Sequence, residues 1–264
     1  MAAARRLTRP AARLAAGRFL AEGPAAVREA LTVEGGVCDL FVTADARDRF
    51  GDLVARATEA GVRTTLVTDE AAAGLSETVT PQGLVAVCDI PAADLDSVSA
   101  GRPRLVAVLA EIRDPGNAGT LVRTADAVGA DAVVFAGTCV DPYNGKSVRA
   151  SAGSIFHLPV VCDVGLAEAA GALRAAGLRV LAADGAADRD LDAIEAAGGL
   201  AGPTAWVFGN EARGLSPVAV AVADERLRVP MTGRAESLNV GAAAAICLYA
   251  SARAHRAALA GAAS

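Results

Sequence analysis

The chain predicts an α/β fold in two parts: a small α/β domain, then a larger one built on a parallel sheet. Three observations carry that reading. Strand-like and helix-like stretches alternate from Phe19 to the end of the chain. Leu105-Val-Ala-Val-Leu-Ala110 is a continuous apolar run, the pattern of a strand buried on both faces of a parallel sheet. Asp89 to Pro103 has two prolines, two serines, Gly101 and no periodicity, so it reads as a linker between the parts.

In the first part, Pro24 to Leu31 is a short helix with proline in its first turn. Val37 to Val42, Arg63 to Val67 and Leu84 to Cys88 are strand-like. Asp45 to Ala60 is helical, with Phe50, Leu53, Val54 and Ala57 apolar and Gly61 as the stop. Asp69 to Leu75 is a further short helix. In the second part, candidate strands are Leu105–Ala110, Ala132–Phe135, Leu158–Val161, Arg179–Ala183, Ala205–Phe208 and Arg226–Val229. Helical stretches at Ala118–Val128, Leu166–Ala176, Leu191–Ala197 and Leu238–Ala260 lie between or after them. Such alternation implies a parallel sheet with helices on both sides, and ligands of such sheets bind beyond the carboxyl ends of the strands. The sites are therefore expected in the loops after residues 110, 208 and 229.

Composition narrows the classes. At 264 residues and 53% hydrophobic the chain can bury a substantial core. Net charge is −5, yet residues 1–21 carry Arg5, Arg6, Arg9, Arg13 and Arg18 and no acid, which leaves −10 for the remainder. A basic arm over residues 1–18 on an acidic body suits contact with nucleic acid, or is a disordered leader. Lysine occurs once, at Lys146. Five cysteines stand singly among apolar residues, with no C-x-x-C, and only His157 and His255 accompany them. That predicts no metal site and reduced thiols in a cytoplasmic protein. No apolar run suits a membrane span, because the Ala-rich tail meets Arg253, His255 and Arg256.

Three loops carry the candidate chemistry. The first holds Asn117, Gly119 and Arg123. Asn117 suits a helix N-cap, and Arg123, off the apolar helix face, suits a surface pair with Asp126. The second is Gly209-Asn210-Glu211-Ala-Arg213-Gly214-Leu215-Ser216, where glycines permit close backbone approach and Ser216 suits the cap of a helix from Pro217. The third runs from Val229-Pro230-Met231 to Ser237-Leu238-Asn239-Val240, a strand-to-helix crossing that offers free backbone N–H groups. Ser237 there suits a helix cap as well as a ligand. The dinucleotide fingerprint, the P-loop, the nucleophile elbow and the zinc deaminase signature are all missing.

Together, Asn117-x-Gly119-x-x-x-Arg123, Phe208-Gly209-Asn210-Glu211-x-x-Gly214-Leu215 and the Val229 to Val240 loop resemble the three motifs of the SpoU/TrmH family of RNA 2′-O-ribose methyltransferases, within the SPOUT class. The resemblance covers about residues 104–255. Residues 19–88, with Arg18-Phe-Leu-Ala-Glu-Gly-Pro24 and Thr80-Pro-Gln-Gly-Leu84, resemble that family's RNA substrate-binding domain. With the basic arm at 1–18 and the linker at 89–103, it implies the RNA domain at 19–88 and a catalytic domain at 104–264 with a deep trefoil knot. It further implies a homodimer through the knotted domain and S-adenosylmethionine as donor. The donor would be held by Phe208, Gly209, Asn210, Gly214, Val229, Pro230, Met231, Ser237 and Leu238. Arg123 would meet the ribose 2′-OH or adjacent phosphate, with Asn117, Glu211 and Asn239 orienting. Arg18 and the stretch Asp141 to Gly153, through Lys146, Arg149 and Ser151, would lie near the RNA. Ribosomal RNA is placed ahead of transfer RNA, because a dedicated RNA domain precedes the knot. A transfer-RNA or antibiotic-resistance ribosomal-RNA methyltransferase and a non-catalytic RNA-binding protein are the alternatives. A nicotinamide enzyme is opposed by the missing fingerprint.

Overall fold

A computed structural model describes residues 1–262. They form two compact units, the first from Met1–Ala92 with Asp141–His157, the second from Ala93–Val140 with Leu158 onward.

In the first unit, α1 (Ala2–Arg6) and α2 (Pro10–Ala16) precede β1 (Arg18–Glu22) and α3 (Pro24–Ala30). Then come β2 (Val37–Val42), α4 (Ala44–Arg49), α5 (Gly51–Glu59), β3 (Arg63–Leu66), α6 (Asp69–Ala73) and β4 (Leu84–Asp89). The four-stranded sheet has the order β1-β4-β2-β3, antiparallel except for β2 with β3. The helix expected over Asp45–Ala60 is interrupted at Phe50, whose backbone (φ −124°, ψ 39°) leaves the helical region.

The basic stretch 1–18 is folded, not a free arm. Ala4 and Leu7 are buried beside Leu20, Phe41, Val85 and Val87 of the sheet. Arg13 is 3% exposed. It donates to the Leu7 carbonyl at 2.8 Å and pairs with Asp141 at 2.6 Å. A carbonyl left over at the end of α1 and a carboxylate thus satisfy a guanidinium that could not be buried alone.

Residues 141–157, expected within the 104–264 domain, belong instead to this first unit. Their side chains explain why. Tyr143 and Phe156 flank Phe19, with ring centroids 5.0 and 5.6 Å away. On α9 (Gly145–Ser151), Arg149 pairs with Glu22 at 3.1 Å, and His157 lies 3.1 Å from Glu29. The sequence offset between these partners is well over a hundred residues, so local pattern could not reveal it.

The second unit opens with α7 (Leu95–Ala100), inside the expected linker. Asp94 accepts from the Ser97 N–H at 2.7 Å, and the Asp94 N–H donates to Ser97 Oγ, a capping box that starts this short helix. Next come β5 (Leu105–Ala110), α8 (Pro115–Val128) and β6 (Ala132–Ala136). After the excursion into the first unit follow β7 (Val160–Val164), α10 (Leu166–Ala175), β8 (Arg179–Ala183) and α11 (Leu191–Ala196). The unit ends with β9 (Thr204–Phe208), α12 (Pro217–Val222), β10 (Glu225–Leu227) and α13 (Val240–Ala262).

All six strands are parallel, in the order β10-β8-β9-β5-β6-β7. β5, β6 and β9 are buried along their whole length, as their unbroken apolar runs require. Long α13 lies against α8 and the sheet. It is fixed there by a 2.8 Å bond from Trp206 Nε1 to Ser251 Oγ, and by His255 Nε2 at 2.7 Å from the Gly202 carbonyl. Burial keeps the His255 pKa below the ordinary histidine value, which the hydrogen bond to Gly202 only partly offsets. Among the described residues no helix is long and apolar enough to cross a membrane.

Candidate active site

The carboxyl ends of β5, β8, β9 and β10 lie side by side, and their loops enclose the site. Asp114, not Asn117, caps α8: its Oδ1 accepts from the Asn117 N–H at 2.8 Å, and Pro115 takes the first helical position. The helix therefore starts earlier than the expected Ala118, and Asn117 keeps its side chain for other work. Asn117 Nδ2 donates to Glu211 at 3.3 Å, and its Oδ1 accepts from Asn239 Nδ2 at 3.3 Å. One residue from each of the three loops thus joins a single chain of bonds, Glu211–Asn117–Asn239.

Asn239 also starts α13. Its Oδ1 accepts from the Gly241 N–H at 2.8 Å, and its carbonyl from Ala243 at 3.0 Å. The cap is therefore Asn239, and the helix begins at Val240, not Leu238. Ser237 does no capping. Gly241 sits in a tight space against α8. A Cβ there would come 3.1 Å from both Asn239 Oδ1 and Thr120 Cγ2 on α8.

The loop after β9 is held by Asn210, which is 9% exposed. Its N–H and carbonyl pair with the Gly214 carbonyl and N–H at 2.9 and 2.8 Å. Its Oδ1 accepts from the Ala212 and Arg213 N–H groups at 3.0 and 3.1 Å. Its Nδ2 donates 2.9 Å to the carbonyl of Glu111, a non-glycine residue held at φ 59°. This loop closes so tightly that a Cβ on Gly209 would sit 2.6 Å from the Gly214 carbonyl carbon. Gly214 itself is at φ 67°.

Glu211 accepts from the Asp114 N–H at 3.0 Å, the Arg113 N–H at 3.3 Å and Asn117. Burial pushes its carboxyl up, but hydrogen bonds from its own N–H, Asp114, Arg113 and Asn117 outweigh this, leaving it below the ordinary glutamate range. It is an ionised anchor at neutral pH.

A cleft of about 260 Å³ lies beside this cluster. Of the residues expected to hold a donor, Phe208, Gly209, Asn210, Gly214, Val229, Met231, Ser237 and Leu238 line this cleft and Pro230 does not. Sequence reasoning missed one wall, Ala183-Asp184-Gly185 after β8, and Leu227. The rule that ligands bind beyond strand carboxyl ends applied equally to that loop, and its Asp-Gly pair was the available signal. Arg123 is exposed on α8. No hydrogen bond or ion pair among the described residues holds it, and none joins it to Asn117, Glu211 or Asn239.

The expected RNA contacts lie in the first unit, with mixed outcomes. Lys146 is exposed. Arg18 is exposed but bonded to Asp89 at 2.7 Å. Arg149 is half-buried against Glu22. Ser151 is fully buried and donates to the Val148 carbonyl at 2.8 Å, so it faces no RNA.

A parallel sheet whose loops shape a cleft with a bonded carboxylate–amide cluster at one end defines an α/β enzyme of the cleft-binding kind. Residues 104–249 match the SpoU rRNA methylase family and residues 2–86 the MRM3-like substrate binding domain. The chain is 36% identical over 234 residues to the 23S rRNA (guanosine(2553)-2′-O)-methyltransferase RlmP of Bacillus subtilis, covering 88% of this chain and 87% of the relative. An AdoMet-bound rRNA methyltransferase from Sinorhizobium meliloti superposes with TM-score 0.82 and 28% identity, over 96% of this chain and 93% of that one. The SpoU methyltransferase AviRb from Streptomyces viridochromogenes, in complex with AdoMet, gives TM-score 0.79 and 32% identity over 95% and 96%. This chain belongs to the SpoU rRNA methylase family.

Proposed function

We propose that this protein is an S-adenosylmethionine-dependent 2′-O-ribose methyltransferase of ribosomal RNA. The observation that carries the reading is the Glu211–Asn117–Asn239 chain at one end of the cleft. RlmP, the relative named above, acts on 23S rRNA, which makes large-subunit RNA the first substrate to try.

The cleft suits the donor. Its walls are largely apolar or backbone, and the glycines at 209 and 214 bring main chain to the ligand, as a planar base requires. Gly209, Asn210, Gly214, Val229, Met231, Ser237 and Leu238 would hold it. When bound, S-adenosylmethionine supplies an electrophilic methyl group on sulfur.

The chain's own residues position the alcohol. A ribose hydroxyl is a weak nucleophile and needs alignment and help in losing its proton. Asn117 and Asn239 are amides locked by mutual bonds, so their orientation is fixed before RNA arrives. Glu211, its carboxylate saturated with donors, is a poor base and serves to orient Asn117. Arg123 has guanidinium donors free for the RNA phosphate and for the alkoxide that develops as the proton leaves.

The RNA surface we assign is Lys146 with Arg5, Arg6 and Arg9. These three arginines are exposed on the folded α1–α2 segment, and no carboxylate among the described residues holds them. Arg149 and Ser151 are left out because each is consumed inside the unit. We further assign the trefoil knot, a cytoplasmic setting and a homodimer, in which exposed Ile246 and Tyr249 of α13 meet a second copy. Sedimentation at the monomer mass would rule out that dimer.

The direct test is Arg123→Ala. Binding of S-adenosylmethionine is expected to stay within about twofold, while methyl transfer to ribosomal RNA falls by a hundredfold or more, in keeping with the loss of one charge-stabilising donor. An Arg123→Ala enzyme of full activity refutes the role. Mapping of ribose methylation in ribosomal and transfer RNA, with and without the protein, tests the substrate.

A further inference from the structure

The cleft has two ends, and the reading above gives an ionisable side chain a role at only one of them. The Asn117–Glu211–Asn239 cluster stands over β5 and β9, where the reacting hydroxyl must come. The other end lies over β8 and β10, two strands across. There the walls are Ala183, Gly185, Leu227, Val229 and one ionisable side chain, Asp184.

Asp184 is built into place. Its N–H donates to the Leu227 carbonyl at 2.9 Å, which ties the loop to β10. Its Oδ1 accepts from the Ala186 N–H at 3.0 Å, and its Oδ2 from Arg226 Nη1 at 3.0 Å. The side chain is 16% exposed. A carboxylate has about four acceptor positions. Two are taken, one on each oxygen, so two remain. The Arg226 guanidinium already balances the charge, so the spare acceptors call for neutral donors, not a cation. Two adjacent neutral O–H donors on a ligand with an apolar planar part are the 2′- and 3′-hydroxyls of a nucleoside.

We propose that Asp184 is a specificity-determining residue of the donor site, accepting hydrogen bonds from the ribose diol of the adenosyl group, with Arg226 as its positioning residue. This places the nucleoside end over β8 and β10 and leaves the methyl-bearing end toward Asn117. It rests on the reading of the cleft as an adenosyl site.

The test measures binding, not turnover. The wild-type protein is titrated calorimetrically with S-adenosylhomocysteine and with its 2′-deoxy and 3′-deoxy analogues. Removing a hydroxyl should weaken binding on the order of tenfold or more, the size expected for a hydrogen bond to a charged acceptor. Asp184→Asn should weaken S-adenosylhomocysteine by a similar factor, yet bind parent and deoxy analogues nearly alike. Wild-type protein that binds the deoxy analogues as tightly as the parent overturns the inference, and needs no variant to do so. An Asp184→Asn loss that is just as large with the deoxy analogues overturns it too, because the residue is then only a loop brace. Wild-type protein that binds no S-adenosylhomocysteine at all sinks the adenosyl reading of the cleft and this inference with it.

Discussion

Replacing Asn210 by alanine isolates the contact that shapes the cleft proposed for the donor. The side chain makes three good hydrogen bonds, to the Glu111 carbonyl and from the Ala212 and Arg213 N–H groups. Ala212 and Arg213 are exposed, so water would replace their bonds, at about 0.5 kcal/mol each. The Glu111 carbonyl is different. It belongs to a residue at φ 59° whose backbone is held in the left-handed region by its surroundings. Losing its partner costs about 1–2 kcal/mol. The sum is roughly 2–3 kcal/mol, which for a unit of this size lowers Tm by about 4–12 °C. Affinity for S-adenosylhomocysteine should fall as well, because the side chain holds the Ala212 and Arg213 N–H groups of the turn that links Gly209 to Gly214, and ties that turn to the Glu111 carbonyl. Asn210→Asp separates geometry from chemistry. It keeps the two acceptor bonds but turns a carboxylate oxygen toward the Glu111 carbonyl and sets a second charge beside Glu211, so it should be worse than alanine at neutral pH and recover in acid. Thermal melts and calorimetric titration of both variants supply the measurement. Unchanged Tm and unchanged affinity in Asn210→Ala would refute the view that this side chain organises the cleft.

Two further predictions follow from charge. The Glu211 carboxyl lies below its ordinary value of 4.5 in the fold, so its stabilising contribution is complete above that value and is lost as pH falls through the depressed folded value. Glu211→Gln should therefore lower Tm most at neutral pH and flatten the acid limb of a profile taken from about pH 6 to about pH 3, so that the two profiles converge in acid; a parallel acid limb would remove Glu211 from the account. Replacing Arg5, Arg6 and Arg9 by alanine should raise KM for ribosomal RNA with kcat kept at saturation, and should shallow the plot of log affinity against log salt by roughly 2–3 for three lost phosphate contacts. An unchanged salt slope would return these arginines to the solvated surface.

How far the sequence disclosed the site depends on the range of the interaction. Leu105–Ala110 announced a central parallel strand because burial on both faces leaves an unbroken apolar run, and the observed strand has those same limits. The three Gly/Asn loops were visible because backbone conformation near a ligand restricts residue type locally. Asn117 and Asn239 were placed in the right loops but exchanged duties with their neighbours: Asp114 caps α8, and Asn239 caps α13 in place of Ser237. Capping preference is shared by aspartate, asparagine and serine, so composition ranks the candidates without choosing among them. What stayed hidden was pairing at a distance. Arg13 reads as one more charge in a basic arm until Asp141 and the Leu7 carbonyl are seen around it. Ser151 and Arg149 read as phosphate contacts until the rest of their own unit consumes them. Asp184 is the same case turned around. Its loop looks like an ordinary turn, and only the sheet order β10-β8-β9-β5 sets its carboxylate in the cleft shared with Gly209 and Leu238. In a parallel sheet with non-sequential strand order, the loops that share a ligand are neighbours in the sheet and not in the chain, so the last wall of the cleft had to come from topology.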